Sequence, residues 1–326
     1  MRELVKEFII MDYTFSYYRG RFVYDANDYL DAFKSDYFNV IYDPKNRKKM
    51  LEEMERLVNF NSSVEIYAFA HLLYDADEKY SYDRAYCMLD MLVSWDYAPA
   101  KYLLGQMYYA GLHVEKDLKK FFALSKEAAD VNFIPAKNSL AYAYFNGHGC
   151  AVDYAKGRAL IQECIDADFG TAYHNAAIGY MQGSFGYPKD EKKALSYFQK
   201  ASYQYYKPAS YNLGLLYLNG QGCVKNVDKG LQELARAASL GHVKAQKKLG
   251  DAYYFGEITK KDLEAAYSYY LAAAENGDAY SMYSVGYMIV CKEKLGVDKY
   301  TGIDWLQKAA RLGNEPAKTA LKKIYN

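Results

Sequence analysis

Small residues recur along the chain at a nearly constant spacing, and this period constrains the fold more than any other feature. The first series steps by 36, 36, 37, 36 and 36 residues through Gly105, Ala141, Ala177, Gly214, Gly250 and Gly286. Five residues earlier, a parallel series runs through Ala100, Ala136, Ala172, Ala209, Ala245, Ser281 and Ala317. A period between about 20 and 50 residues is typical of proteins that stack one supersecondary unit in a row. The chain is therefore expected to form a repeat array with one continuous core.

Each period contains the signals for two helices, which we name helix A and helix B. Helix A is expected to end at a left-handed glycine, at Gly111, Gly147, Gly183, Gly220 and Gly256. Helix B is expected to begin at a capping side chain, at Asp117, Asp153, Asp190, Asn226, Asp262 and Asp298. Four of the six prolines precede helix A, where a missing amide hydrogen does no harm. The one extra residue lies in the loop segment GSFGYPKD, where an insertion costs little.

Gly214 lies within helix A, although a glycine in a helix interior costs about 0.5–1 kcal/mol relative to alanine. The recurring small residues predict that helices A and B approach closely at these positions, because a larger side chain would hold them apart. Packing between the helices would then offset the cost of the glycine.

The segment ASYNLGLLYLNGQGCVKNVDKGLQELARAA combines these signals as A-x-x-x-L-G-x-x-Y-x-x-G, then Asp, then K-A or K-G, then A-A. It resembles the Sel-one-like repeat (SLR) family, a relative of the tetratricopeptide repeat. The resemblance covers residues 61–326 and implies an all-α, right-handed superhelical solenoid of about seven 36-residue helix pairs with a C-terminal capping helix. Residues 1–60 match poorly and are expected to form a degenerate N-terminal helical cap.

The overall composition argues against several classes of function. The formal net charge is +1 and charged residues make up 25% of the chain, so no broad basic field is available to gather nucleic acid or anionic lipid. The five cysteines form no C-x-x-C pair, which favours neither a disulfide framework nor a zinc site. No apolar stretch approaches the roughly 18 residues needed to cross a bilayer, and no signal peptide is recognisable. We expect a soluble, cytoplasmic protein without a metal or cofactor.

Tyrosine is unusually frequent, with 38 residues, and its position within helix A separates core from surface. When the small residue early in helix A is numbered zero, position eight falls on the core side at about 100 degrees per residue, and positions two, six and nine fall opposite. The SLR resemblance implies that this opposite side lines a concave groove. An aromatic surface with few charges is typical of the centre of a protein-binding patch. The candidate binding residues are Tyr102, Tyr109, Asn138, Tyr142, Phe145, His174, Tyr211, Tyr254, Tyr283 and Tyr287.

Three hypotheses for function follow. We favour a non-catalytic scaffold, adaptor or inhibitor that holds a segment of another protein in the groove, because repeat folds are commonly used in this way. The alternative is a protein that binds a carbohydrate or peptidoglycan fragment, since tyrosine rings stack on sugars and Asn138, Asn146 and Asn219 offer amides. A hydrolase of the β-lactamase type, a label that some SLR proteins carry, lacks support because S-x-x-K and other catalytic motifs are missing. The sequence leaves the partner and the oligomeric state open.

Overall fold

A computed structural model describes residue 58 and residues 60–75, 79–291 and 296–325. The secondary structure of these residues is helical, without a strand, which confirms the predicted all-α class. The fifteen helices in this part of the chain are α1 (Ser63–Asp75), α2 (Lys79–Ser94), α3 (Ala98–Ala110), α4 (Leu118–Asp130), α5 (Ile134–Asn146), α6 (Tyr154–Asp166), α7 (Gly170–Gln182), α8 (Glu191–Tyr203), α9 (Lys207–Asn219), α10 (Val227–Ser239), α11 (Val243–Phe255), α12 (Leu263–Glu275), α13 (Ala279–Val290), α14 (Lys299–Arg311) and α15 (Glu315–Tyr325). Of the predicted cap over residues 1–60, only residues 58 and 60 are among those described, and the cap stays a prediction.

Helices A and B alternate in the predicted order. We number the pairs as repeats, from repeat 1 (α1 and α2) to repeat 7 (α13 and α14), so that the odd-numbered helix of each pair is helix A. The last helix, α15, has no B helix after it within the described residues. Its Ala317 is buried, and Lys318, Lys322 and Lys323 are exposed, as expected for the outer face of a terminal helix.

The capping residues set the helix boundaries. The five glycines that follow the A helices of repeats 2 to 6 have φ values between 64° and 74°, as the left-handed cap requires. The Asp117 carboxylate accepts the N–H groups of Lys119 and Lys120 at 2.9 and 3.0 Å and so caps α4. The Asp117 N–H also donates to the Tyr108 carbonyl at 3.0 Å, which ties the start of helix B to the end of helix A. The same backbone bond recurs from Asp153, Asp190, Asn226 and Asp262.

The chain divides into two compact units. Unit 1 comprises Met1–Gly179 and Gly183–Pro188, and unit 2 comprises Tyr180–Gln182 and Lys189–Asn326. In unit 1 each helix from α1 to α5 packs on the helix that follows it, and the same holds in unit 2 from α8 to α14. Within each unit the core is therefore built between sequence neighbours, as in stacked repeats.

The predicted close approach of helices A and B is confirmed at Gly214. A Cβ atom at this glycine would lie 2.9 Å from Leu234 Cγ and 3.0 Å from the Gly230 carbonyl oxygen. The approach is tighter still at Gly250, where a Cβ atom would lie 2.5 Å from the Tyr270 ring. A side chain at either position would push helix B away from helix A, so the contact offsets the conformational cost of glycine.

The B helices share an alternation of small and large residues that faces helix A. The fourth residue after the capping Asp or Asn is small in repeats 3 to 7: Gly157, Ala194, Gly230, Ala266 and Gly302. The eighth residue is large and fully buried: Ile161, Phe198, Leu234, Tyr270 and Leu306. Repeat 2 reverses this order, with Phe121 at the fourth place and Ser125 at the eighth, and both are buried. This exchange bears directly on the candidate site.

The tyrosines at position eight of helix A only partly match their expected place in the core. Tyr108 is buried, whereas Tyr144, Tyr180, Tyr217 and Tyr253 are half-buried. Position eight lies in the last turn of helix A, beside the first turn of helix B, and in repeats 2 to 5 a lysine from that turn covers the ring. The ammonium lies 4.6 Å from the Tyr108 ring centroid in Lys120 and 4.4 Å from that of Tyr180 in Lys193. These four rings therefore form cation–π pairs, whereas Tyr253 of repeat 6 stacks on Tyr269.

Candidate functional site

An open cavity of about 320 Å³ lies in unit 1 between residues of α3, α4, α5 and α7. It is lined by Tyr102, Gln106, Tyr109, Phe121, Asn138, Ser139, Tyr142 and Asn175, and we call it the unit 1 cavity. Four of these residues are candidates from the sequence: Tyr102, Tyr109, Asn138 and Tyr142. The structure thus brings together four predicted residues from two successive A helices.

The exchanged pair in α4 shapes this cavity. Because Ser125 is small, the contact between α3 and α4 is looser than elsewhere: a Cβ atom at Gly105 would lie 3.6 Å from its nearest neighbours. Its distance to Ser125 Oγ would be 3.7 Å, in ordinary contact. Phe121 instead carries the large side chain one helical turn earlier, where its ring lines the cavity. The Ser125 hydroxyl is buried and has no hydrogen-bond partner among the described residues.

The aromatic side of the cavity is a packed cluster with one exposed ring. Tyr109 lies 5.1 Å from Phe121 and 6.0 Å from Tyr142, measured between ring centroids, and the two tyrosine hydroxyls are hydrogen-bonded at 3.2 Å. His148 lies 5.6 Å from the Tyr109 ring and 5.3 Å from the Tyr142 ring. Tyr142 keeps 40% of its surface exposed. Tyr109 therefore supports the cluster, whereas Tyr142 offers its ring to solvent or to a ligand.

The polar side of the cavity consists of amides that neighbouring repeats hold in place. The Gln106 amide donates to Ser139 Oγ at 3.1 Å, and the Asn175 amide donates to Asn138 Oδ1 at 2.9 Å. Both bonds join one A helix to the next. An NH2 group carries two hydrogens, so each of these donors keeps an N–H for a ligand.

The cavity is electrically neutral at physiological pH. The hydrogen bond with Tyr109, together with burial, raises the pKa of Tyr142 to about 12. Burial, helped by the nearby Lys116 ammonium, lowers the pKa of His148 below its ordinary value, which favours the neutral imidazole. The His148 Nδ1 atom is buried without a hydrogen-bond partner among the described residues. None of the eight lining side chains carries a charge, so the lining offers ring faces and hydrogen-bonding groups rather than a counter-charge.

Two further predicted residues lie in unit 1. The His174 ring nitrogen Nδ1 is 3.5 Å from Asn175 Oδ1, which places His174 beside the polar side of the cavity. Phe145 was expected on the open side, but it is only 6% exposed and stacks on Phe185 at 4.8 Å, and this expectation is wrong. The reason is Gly157 in α6, whose missing side chain leaves room for the Phe145 ring; a Cβ atom there would lie 2.3 Å from it.

The remaining four predicted residues lie in unit 2, each with an aromatic neighbour. Tyr211 stacks on His242 at 4.6 Å between ring centroids, and Tyr283 lies 5.8 Å from Tyr287. Tyr254 lies 5.0 Å from the ring of the adjacent residue, Phe255. Their role in binding stays a prediction.

The two charged residues on the corresponding side of unit 2 are engaged within the fold. Asp251 accepts a hydrogen bond from the Tyr270 hydroxyl at 2.7 Å, and the Lys247 ammonium lies 5.1 Å from the centroid of the Tyr280 ring. Burial is the largest cause that raises the pKa of Tyr270, followed by the bond to Asp251, so the phenol stays neutral as a donor.

The candidate list left out Gln106, although it occupies position six on the side opposite the core, and sequence reasoning missed Phe121, Ser139 and Asn175 as lining residues. Ser139 and Asn175 both occupy position three of helix A, where repeat 2 has Leu103. Position three is polar in each of repeats 3 to 7, so it does not single out these two residues. The exchange of Phe121 and Ser125 against the order in repeats 3 to 7 was a usable signal.

No group of three or more His, Cys, Asp or Glu side chains among the described residues is arranged to hold a metal ion. No helix in the same residues is long and apolar enough to cross a membrane.

Comparison with known proteins assigns the repeat. The family model described as the Sel1 repeat matches residues 98–132, 134–163, 171–206, 207–242, 243–278 and 279–314, more than half of the chain. These segments correspond to repeats 2 to 7, and the helix pair of repeat 1 precedes them. Proteins built from Sel1 repeats generally serve as scaffolds for protein–protein interaction, and the family is typically non-catalytic.

Solved structures agree with this assignment, and curated relatives match part of the chain. The crystal structure of a Sel1 repeat protein from Oxalobacter formigenes is 28% identical, with a TM-score of 0.60, over 74% of this chain and 98% of that one. A protective antigen from uropathogenic Escherichia coli with an SLR fold is 22% identical, with a TM-score of 0.58, over 84% of this chain and 59% of that one. DAP3-binding cell death enhancer 1 from Rattus norvegicus is 31% identical over 42% of this chain and 34% of its own length.

The chain thus spans about a third of the length of the curated relatives that it matches, and those relatives include the Mus musculus protein of the same name. The match to the repeat is independent of this partial overlap, because six consecutive segments fit the family model. With its capped helix pairs and 36-residue period, the chain belongs to the Sel1 repeat family.

Proposed function

We propose that this protein is a non-catalytic adaptor or inhibitor that holds a segment of another protein at the unit 1 cavity. The observation that carries the proposal is the convergence of Tyr102, Tyr109, Asn138 and Tyr142 on one open cavity. These residues were selected from the repeat pattern for their side of helix A, and they lie where repeat 2 departs from the packing of the other repeats.

The chemistry of the cavity suits a peptide segment. Exposed aromatic rings bury a large area at little cost in side-chain entropy, and they supply many of the strongest contacts in protein interfaces. The fixed amides of Gln106 and Asn175 can donate to backbone carbonyl groups of a bound chain. The cavity volume of about 320 Å³ lies at the lower end of ligand pockets, so it fits a few residues of a segment that extends beyond it.

The family of the chain and one of its relatives support a protein as the partner. Sel1 repeats mediate protein–protein interaction, and the name of one relative describes it as a protein that binds DAP3. A cytoplasmic location, and the expectation that neither nucleic acid nor a membrane is a partner, stay predictions from the sequence.

Two matched variants test the proposal. Tyr142 and Tyr287 occupy position six of their A helices and are 40% and 39% exposed, but only Tyr142 is among the residues that line the unit 1 cavity. We expect wild type and Tyr287→Ala to capture the same protein from a lysate of the cells that express the chain, and Tyr142→Ala to lose it. Quantitative mass spectrometry measures the capture, and circular dichroism checks that both variants keep their helices. Equal capture by all three proteins would contradict the proposed site.

The carbohydrate alternative is favoured by one observation, the amide pair Asn138 and Asn175 beside the Tyr142 ring. A glycan array distinguishes it from the peptide. Binding of a glycan by the wild-type chain that is lost in Tyr142→Ala and kept in Tyr287→Ala would favour the carbohydrate.

A further inference from the structure

The unit 1 cavity disfavours a charged occupant. All eight lining side chains are neutral, and the nearby cation, Lys116, lies over the Tyr109 ring with its ammonium 5.3 Å from the centroid. A carboxylate or ammonium that entered the cavity would lose water without gaining a counter-charge from the lining, which is costly. The part of a bound segment that enters the cavity is therefore expected to be uncharged.

The amides of the cavity favour an occupant that accepts hydrogen bonds. Gln106 and Asn175 each use one N–H within the fold and keep the other, and Asn138 engages its oxygen in accepting the Asn175 donor. Because these side chains are tied to one another across three A helices, they present their remaining N–H groups in fixed positions. Backbone carbonyl groups are the neutral acceptors that every peptide segment offers.

The rings favour an apolar, rigid side chain. Tyr142 is 40% exposed, so a flat apolar ring can pack against it, whereas the buried Phe121 ring supports the cluster from within. Proline supplies such a ring, lacks the backbone N–H, and pre-orders the extended polyproline II conformation. Aromatic-lined grooves that recognise this conformation gain affinity because little conformational entropy is lost on binding.

We infer that the unit 1 cavity takes an uncharged, proline-containing segment in the polyproline II conformation. Its prolyl ring packs against Tyr142, and its carbonyl groups accept N–H bonds from the amides of Gln106, Asn138 and Asn175. This inference rests on the proposed function, because it specifies the kind of segment that the protein holds.

A random-peptide display selection on the full chain tests the inference. Selection on wild type is followed by removal of every peptide that also binds the double variant Phe121→Ala, Ser125→Leu. This variant restores the order of small and large residues found in repeats 3 to 7. It removes the Phe121 ring from the cavity lining and from its contact with the Tyr109 ring, and so is designed to destroy the shape of the cavity. Tyr142→Ala provides a second control in case the double variant unfolds, and circular dichroism monitors the helices of both. Affinities of the recovered peptides are measured by fluorescence anisotropy.

We expect the cavity-dependent peptides to share a proline without charged neighbours, and replacement of that proline by alanine to weaken binding roughly tenfold or more. Cavity-dependent peptides that lack proline, or that need a charge, would overturn the inference and leave the proposed function standing. If no recovered peptide depends on the cavity, the proposed function fails together with the inference.

Discussion

Repeat 2 of unit 1 and repeat 6 of unit 2 have the same helix boundaries, but different side chains pack between their helices A and B. In repeat 6 the Tyr270 ring fills the space beside Gly250, and its hydroxyl donates to Asp251. In repeat 2 the equivalent residue is Ser125, its hydroxyl has no partner among the described residues, and the lining of an open cavity includes Phe121. The difference shows that a large and a small residue can be exchanged in helix B without disturbing the period.

The two packing arrangements have opposite effects on the stability of the folded state. Repeat 6 gains a buried aromatic ring and a hydrogen bond to a carboxylate, which both favour the folded state. Repeat 2 leaves a buried hydroxyl unpaired, which costs about 1–3 kcal/mol. Local features that cost stability without a visible gain are expected at functional sites. This contrast supports the proposed binding role of repeat 2, whereas the contacts of Tyr270 stabilise repeat 6.

Tyr270→Ala should have the largest effect on stability. Loss of a fully buried aromatic side chain leaves a void beside Gly250, and we expect the free energy of unfolding to fall by about 3–5 kcal/mol. Urea denaturation followed by circular dichroism measures it, with the exposed Tyr300→Ala as the control. A loss below about 1 kcal/mol would show that repeat 6 is not held by this ring.

Replacement of the two equivalent glycines by alanine should change the stability of the protein in opposite directions. At Gly250 a Cβ atom would meet the Tyr270 ring at 2.5 Å, so Gly250→Ala should destabilise by about 1–3 kcal/mol. At Gly105 the nearest atoms are 3.6 Å away, so Gly105→Ala should stabilise by about 0.5–1 kcal/mol through helix propensity. The same denaturation experiment measures both, and a destabilising Gly105→Ala would contradict the looser packing of repeat 2.

Ser125→Ala should stabilise the protein by about 1 kcal/mol, because it removes an unpaired buried hydroxyl and improves helix propensity. The matched variant is Ser202→Ala. The Ser202 hydroxyl donates to Glu233 at 2.7 Å, so its loss should lower the stability of the protein. Thermal melting of both variants measures the difference. Equal shifts in the two melting temperatures would mean that the Ser125 hydroxyl is satisfied in the folded protein.

The smallest effect concerns alkaline pH. Since the folded pKa of Tyr142 is raised to about 12, above its ordinary value near 10, its contribution to stability is full below about pH 10 and is lost as the pH rises through about 12. NMR of 13C-labelled tyrosine side chains should show several signals that titrate late, including that of Tyr86, whose pKa is also raised to about 12. One of these signals should disappear in Tyr142→Phe. Titration of that signal near pH 10 would argue against the hydrogen bond between Tyr142 and Tyr109.

The helix boundaries were predictable because they depend on local residues. A glycine such as Gly111 or an aspartate such as Asp117 ends or caps a helix through bonds to residues only a few positions away. The burial of Phe145 was not predictable from helix A alone, because it depends on Gly157 in the facing helix. A helical wheel describes one helix, whereas burial is decided by the pair.

The candidate site was predictable only in part for the same reason. Tyr102 and Tyr142 were identified from their side of helix A, and the structure places both at the cavity. Helix B also contributes to the lining through Phe121, one member of the pair exchanged in repeat 2. The exchange in the sequence indicates this contribution only when it is known which residues of helix B face helix A.

The most direct test of the account is to observe the tyrosines while a partner segment binds. Side-chain NMR of the full chain with 13C-labelled tyrosine, assigned by single Tyr→Phe variants, reports on Tyr102, Tyr142, Tyr254 and Tyr287 in one experiment. On saturation with a captured segment, the signals of Tyr102 and Tyr142 should shift while those of Tyr254 and Tyr287 stay in place. Shifts confined to Tyr254 and Tyr287 would contradict binding at the unit 1 cavity.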